Sequence, residues 1–194
     1  APGSRYSAGG LVGATRSGDP ADARGRIIVP QLVDFAGDAF AAAHCFHYTG
    51  LVTIDGERLA RVEFDPVRSL KVPDVRGALY LDAKTYQLRR SMLFLDRDSP
   101  VLPRVETWHV QVDTRYREVL PSLSVLDGVC ARTTRRLKAA AEPPRDNKRL
   151  GPALGPASVE EQRLVAVRLA SGDTISENMM MAGPCDLALK SGYQ

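Results

Sequence analysis

His44, Cys45 and His47 are the residues of this chain whose types and spacing come nearest to a metal site. On a strand, successive side chains alternate between faces, so Cys45 and His47 share one face while His44 points to the other. Two ligands fall short of the three or four that zinc needs, and no HExxH or CxxC motif supplies the rest. Completing a site would require His109 or Cys130 from distant strands. The expectation is therefore a buried cysteine with flanking edge histidines. His109 and Asp113 are the types of a base and its orienting carboxylate. Four residues along a strand span about 13 Å, however, which rules out a direct hydrogen bond between them. The chain has no GxSxG elbow, phosphate-binding glycine loop or dinucleotide fingerprint. Gly9, Gly10 and Gly13 lack the strand and helix context of a phosphate cradle. No catalytic, cofactor or metal site is expected, and the chain reads as a non-enzyme.

Residues suited to binding are easier to find. Arg115 and Arg117, together with Arg132, Arg135 and Arg136, could meet an acidic partner or lipid headgroups, although such residues are more often the solvated side of a sheet. Met179, Met180 and Met181 form a run of the flexible, polarizable side chain favoured at adaptable binding surfaces. Their bland alternative is a tail packed on its own core. Trp108 reads as a core or groove aromatic.

The bulk numbers narrow the class. The chain has 194 residues, enough for one domain or one domain with long arms. Its 44% hydrophobic and 25% charged residues are those of a globular protein with a real core. Lys and Arg number 26 against 23 Asp and Glu, too balanced for a nucleic-acid partner. No apolar run approaches the roughly 20 residues that span a bilayer, and no signal peptide is recognisable. The chain opens on Ala1-Pro2, the start expected of a processed or partial product. Its three cysteines, Cys45, Cys130 and Cys185, allow one disulfide with a thiol left over, or three buried thiols. In an exported protein Cys45 to Cys130 is the first choice, because both fall in predicted strands.

The elements that must position these residues are mostly strands. Residues 1–25 are rich in Gly, Ala, Ser and Pro and read as an extended arm. Arg26 to Pro30 looks like a short strand. Leu32, Phe35, Ala36, Ala39, Phe40 and Ala43 follow a period near 3.6 and predict one short helix over 31–43. Cys45–Ile54 and Glu57–Phe64 form a hairpin about Asp55-Gly56, the strongest two-residue hairpin signal. Ala78–Asp82 and Tyr86–Asp96 form a second hairpin about Ala83-Lys84-Thr85. In 105–118, Trp108, Val110, Val112, Thr114 and Tyr116 face one way, and His109, Gln111, Asp113, Arg115 and Arg117 the other, predicting a sheet wetted on one side. Strands over 123–137 and 160–170 follow, separated by a Pro- and Gly-rich loop at 139–156. The fold expected is mainly β: an antiparallel meander forming a curved half-barrel sheet over one short helix, spanning 26–170, with 171–194 as a C-terminal tail.

Several runs resemble a known family: HCF at 44–46, the Asp-Gly hairpin, RVEFDP at 61–66, DVRGALYLDAKTYQLRR at 74–90, RYREVLPSLSVLD at 115–127 and EEQRLVAVR at 160–168. Together they are similar to the C-terminal region of bacterial exported proteins of the carboxypeptidase-like regulatory domain-containing family, over roughly residues 26–170. The strand-turn pattern is also similar to lipoprotein carriers of the Lol type. The resemblance implies a periplasmic or cell-surface protein that is not a peptidase. The β-sandwich domain that usually precedes this region in the family is not expected within these 194 residues. On these grounds the expected function is a non-catalytic extracytoplasmic scaffold subunit, docking on the protein subunits of a larger membrane-embedded assembly. One such host would be a bacterial photosynthetic reaction-centre and light-harvesting complex, since the family is associated with phototrophic lineages among others. The alternative is a periplasmic carrier holding a lipid or lipoprotein acyl chain in the concave sheet, against Leu79, Leu81, Leu93 and Leu95. A metal-dependent hydrolase built on His44, Cys45 and His47 is the least favoured expectation.

Overall fold

The computed structural model describes residues 6–10, 12–15, 24–72, 74–95, 105–121, 123–137, 158–176 and 185. In chain order the elements are β1 (Val12–Thr15), β2 (Arg24–Ile27), α1 (Leu32–Phe35), α2 (Asp38–Ala43), β3 (His44–Ile54), β4 (Glu57–Pro66), β5 (Val75–Asp82), β6 (Leu88–Leu95), β7 (Val105–Leu120), β8 (Leu123–Leu137), β9 (Ser158–Arg163), β10 (Ala166–Arg168) and β11 (Thr174–Ser176). Strands β3 to β9 form one seven-stranded sheet in sequence order, each antiparallel to its neighbour. The protein is thus the mainly β antiparallel meander that its turn chemistry predicts. The curved sheet stays open, with β3 and β9 as its edges among the described residues.

Two details of the expectation change. The single helix is two, α1 and α2, because Gly37 is extended (φ −84°, ψ 142°) and restarts the chain as the N-cap of α2. The apolar period across that break therefore does not map onto one buried stripe: Leu32 is exposed while Asp34 is buried. The N-terminal arm also takes part in the fold. β1 pairs with β2, and Tyr6 is buried in the core. The last predicted strand is divided as well, since Leu164 donates its N–H to the Asp127 carbonyl (2.9 Å) between β9 and β10, and β10 turns back into β11 through Gly172 at φ 94°.

The hairpin turns follow from local chemistry. Asp55 (φ 52°) and Gly56 (φ 83°) both adopt the left-handed conformation that a tight hairpin with the native strand twist requires. At the β5–β6 turn the Asp82 carboxylate accepts the N–H groups of Lys84 (2.9 Å) and Thr85 (2.8 Å). Those two bonds hold the Asp82 carboxyl down at about 2.

The core lies mainly on one face of the sheet. Phe64, Leu79, Leu93, Leu95, Val110 and Val112 are buried there, covered by Phe40 and Ala43 of α2 and by Tyr6. Three of the leucines expected to line an acyl groove, Leu79, Leu93 and Leu95, are therefore packed against aromatic side chains of the same chain. A small apolar cleft remains between Val29, Pro30 and the Leu93, Leu95, Val110 and Val112 side chains. The opposite face buries a smaller cluster of Leu59, Ala78, Tyr80 and Met92. Gly77 lets β5 and β6 approach closely. A Cβ at this position would stand 2.0 Å from the Met92 carbonyl oxygen, which is backbone and cannot rotate away. Gly77→Ala is expected to destabilise by about 1–3 kcal/mol, the usual range for overpacking, read as a lower urea midpoint at unchanged slope.

Candidate functional site

The three residues of the apparent metal cluster are separated by the pleat of β3. His44 is buried on the core face, and Cys45 and His47 are exposed on the other. No group of three or more His, Cys, Asp or Glu side chains is placed to hold a metal ion among the described residues. His44 is instead held on both ring nitrogens: Nδ1 lies 2.9 Å from the Phe40 carbonyl oxygen and Nε2 lies 3.0 Å from that of Val75. A carbonyl only accepts, so both nitrogens donate and the ring that satisfies this geometry is the imidazolium. Its countercharge is Asp74, whose Oδ1 stands 3.6 Å from His44 Nε2 with both side chains fully buried. Asp74 also accepts the Tyr6 hydroxyl (2.6 Å) and the Val75 N–H (2.8 Å). Burial opposes the charge on His44, but the Asp74 carboxylate and the two carbonyls outweigh it and hold its pKa above the ordinary value. Burial and the same carboxylate push the Tyr6 hydroxyl upward as well. This knot ties Tyr6, α2 and the start of β5 together; it is a structural device with no free group to offer a substrate.

The surface that can meet a partner is the opposite face, and its order comes from strand register. Across the sheet, Gly50, Arg61, Tyr80, Arg90, Arg115, Gly128 and Arg163 lie in direct register, one from each of β3 to β9. The neighbouring row on the same face is His47, Glu63, Ala78, Met92, Asp113, Cys130 and Glu161. A cationic row therefore runs beside one that carries the carboxylates. Arg61 pairs with Glu63, which also binds His47 Nε2 at 2.9 Å. Arg163 meets Glu161 at 3.3 Å. Arg90 grips Asp113 with two hydrogen bonds, Nε to Oδ1 at 2.8 Å and Nη2 to Oδ2, both side chains almost fully buried.

The fate of each predicted residue follows from these rows. Asp113 does not lie on a solvated face and does not orient His109, which is exposed; it neutralises Arg90. Arg115 reaches Asp55 Oδ2 at 3.5 Å, and Arg117 pairs with Asp127 at 2.8 Å. Arg132 donates to the Cys185 carbonyl at 3.1 Å. The backbone of Arg135 and Arg136 pairs with Trp108 and Thr107, while their side chains and Met179, Met180 and Met181 lie outside the described residues. Tyr80 and Arg90, both central, escaped sequence reasoning. Each stands as a polar residue on a predicted strand with nothing local to set it apart, and only register converts the two into a row.

The expected Cys45–Cys130 disulfide is corrected. Cys130 is bonded to Cys185, with Cα atoms 5.0 Å apart, and Cys45 is a free, exposed thiol. The reason is topological. β3 and β8 are five strand positions apart, roughly 24 Å at the usual spacing, far beyond disulfide reach.

The chain is similar to the endo-4-O-sulfatase of Bacteroides thetaiotaomicron, 32% identical over 116 residues, which cover 56% of this chain. It spans 22% of that relative's length. No protein-family model matches the chain, and no solved structure matches it. The relative is an enzyme, and this finding overturns the expectation that the chain stands outside enzymes altogether.

Proposed function

We propose that this chain is a substrate-engaging part of an exported enzyme system that acts on sulfate esters of a polymer. The observation that carries the reading is the row of Arg61, Arg90, Arg115 and Arg163 drawn up by register across one face of the sheet. Guanidinium groups present several donors in a planar fork suited to oxyanions, and a row of them running across the strands suits a polymer that carries repeated charge. The similarity to an endo-4-O-sulfatase supplies the ester class. An extracytoplasmic location belongs to the same reading and is supported by the Cys130–Cys185 disulfide, since such bonds persist in oxidising compartments. Within the system, the sheet holds the polymer while its neighbours in the assembly or polypeptide complete the site. The test is affinity electrophoresis of the full chain through gels that contain a 4-O-sulfated polysaccharide or its desulfated counterpart. Retardation confined to the sulfated gel, weakening as salt is raised, is the expected result. Equal mobility in both gels would remove the reading.

A further inference from the structure

The two edges of the seven-stranded sheet are built differently. β9 is short, six residues, and sets Glu160, Glu161 and Arg163 along its length. Short length and charged side chains are the usual guards of an open edge, whose outward N–H and C=O groups would otherwise take up a further strand. β3 has neither guard. It is eleven residues long, and from His44 to Ile54 it carries no Lys, Arg, Asp or Glu. Nor is it covered, since Cys45 to Thr49 are exposed without a break. On the core face of this edge, Phe46, Tyr48 and Leu51 are 40%, 62% and 46% exposed. Register sets them in one row, opposite Phe64, Val62 and Ala60 of β4. Phe46 lies against the Phe40 and Phe64 rings, with centroids 6.1 and 5.8 Å away, so the row is the margin of the core itself, left open. The bulge between Tyr48 and Gly50 is closed inward, where Thr49 Oγ1 donates to the Arg61 carbonyl at 3.3 Å. It leaves five ladder pairs with β4 on either side.

We infer that β3 is a self-association edge, along which two copies of this chain pair antiparallel and merge their sheets into one. A strand is the element that fits, because it meets the outward peptide groups and covers the apolar row together; a helix laid on the row would do only the second. Charge points to a second copy as that strand. A strand paired with its own copy about a two-fold axis sets each residue opposite itself or a near neighbour, so any charge it carried would meet its like. β3 meets that condition by being neutral throughout. The nearest charges inward, Arg61 and Glu63 of β4, pair with each other. This association neither uses nor requires the reading of the arginine face as a polymer surface, but it would enlarge that face. The two-fold axis of an antiparallel edge pair stands normal to the sheet, so both copies turn their arginines to the same side.

Sedimentation equilibrium of the full chain over a dilution series tests this. The variants are Tyr48→Lys and Leu51→Lys, one on each side of the bulge. Val165→Lys is the control, at a 67% exposed apolar side chain outside the seven-stranded sheet. All three side chains are exposed, so each variant should keep the circular dichroism spectrum and Tm of the native chain. The native chain and the control are expected at twice the chain mass. Each β3 variant is expected at the single mass at concentrations where the native chain is paired, because an edge lysine guards the strand and faces its own copy. A native chain at the single mass throughout the series would give the edge to a strand of another polypeptide and overturn the proposal. Pairing that persisted in both β3 variants would overturn it too, as would pairing lost in the control alone. Selective retardation of a single-mass chain in the sulfated gel would leave the polymer surface standing while the self-association fell.

Discussion

Asp74→Ala is expected to destabilise the protein by about 3–5 kcal/mol, the usual consequence of leaving a buried charge without its partner. The substitution strips His44 of its countercharge and the Tyr6 hydroxyl of its acceptor in one step, at a position with no exposed surface. Urea unfolding followed by circular dichroism checks the size, and a loss under about 1 kcal/mol would mean that His44 is neutral in the fold. The pH dependence carries the sign. Because the folded pKa of His44 lies above its unfolded value, the stabilisation it supplies is complete below about pH 6.5 and is lost as pH rises through the folded value. Thermal stability should therefore fall on the alkaline side. Asp74→Asn, which keeps shape and removes charge, should shift that fall to lower pH. Tyr6, raised by the same carboxylate, acts in the same direction above the ordinary tyrosine range.

Arg90→Met is the second large effect, again about 3–5 kcal/mol, because it leaves Asp113 buried in the middle of the sheet without its partner. The companion experiment is the double replacement Arg90→Met with Asp113→Leu. Removing both charges from a nearly dry site exchanges the pair for apolar contact with Met92 and its neighbours, and this is often neutral or stabilising. The double variant should recover most of the loss. If it were as unstable as the single one, the pair would be holding register rather than offsetting charge.

Much of the fold is legible in local chemistry. Asp55-Gly56 specifies a tight hairpin because both positions must take positive φ, and they do. The 105–118 alternation sends Val110, Val112, Thr114 and Tyr116 to the core face, as the period of two dictates, and burial pushes the Tyr116 hydroxyl up to about 12. The same alternation misleads at Asp113. A charged residue on the second face reads as solvated until a partner on the adjacent strand is known, and Arg90 is 23 residues away. The helix shows a different failure: the apolar period runs across Gly37, but one extended glycine resets the phase, and Asp34 rather than Leu32 turns inward to accept the N–H groups of Tyr6 and Gln31.

The candidate site was less legible than the fold. Arg115 and Arg132 were singled out for their charge alone, with nothing to say which charges stand side by side. Tyr80 and Arg90 carried no local signal, and the cysteine pairing was misjudged because strand membership says nothing about strand distance. By itself the sequence determined the strands, the turns that reverse them and the consecutive antiparallel order, since each depends on residues within a few positions of one another. Only the tertiary structure decided which carboxylate neutralises which cation, which histidine is buried and charged, which cysteines bond, and that four arginines fall in one row. The deciding pairings, Arg90 with Asp113 across 23 residues, Cys130 with Cys185 across 55 and Tyr6 with Asp74 across 68, are fixed by the assembled sheet rather than by neighbouring residues.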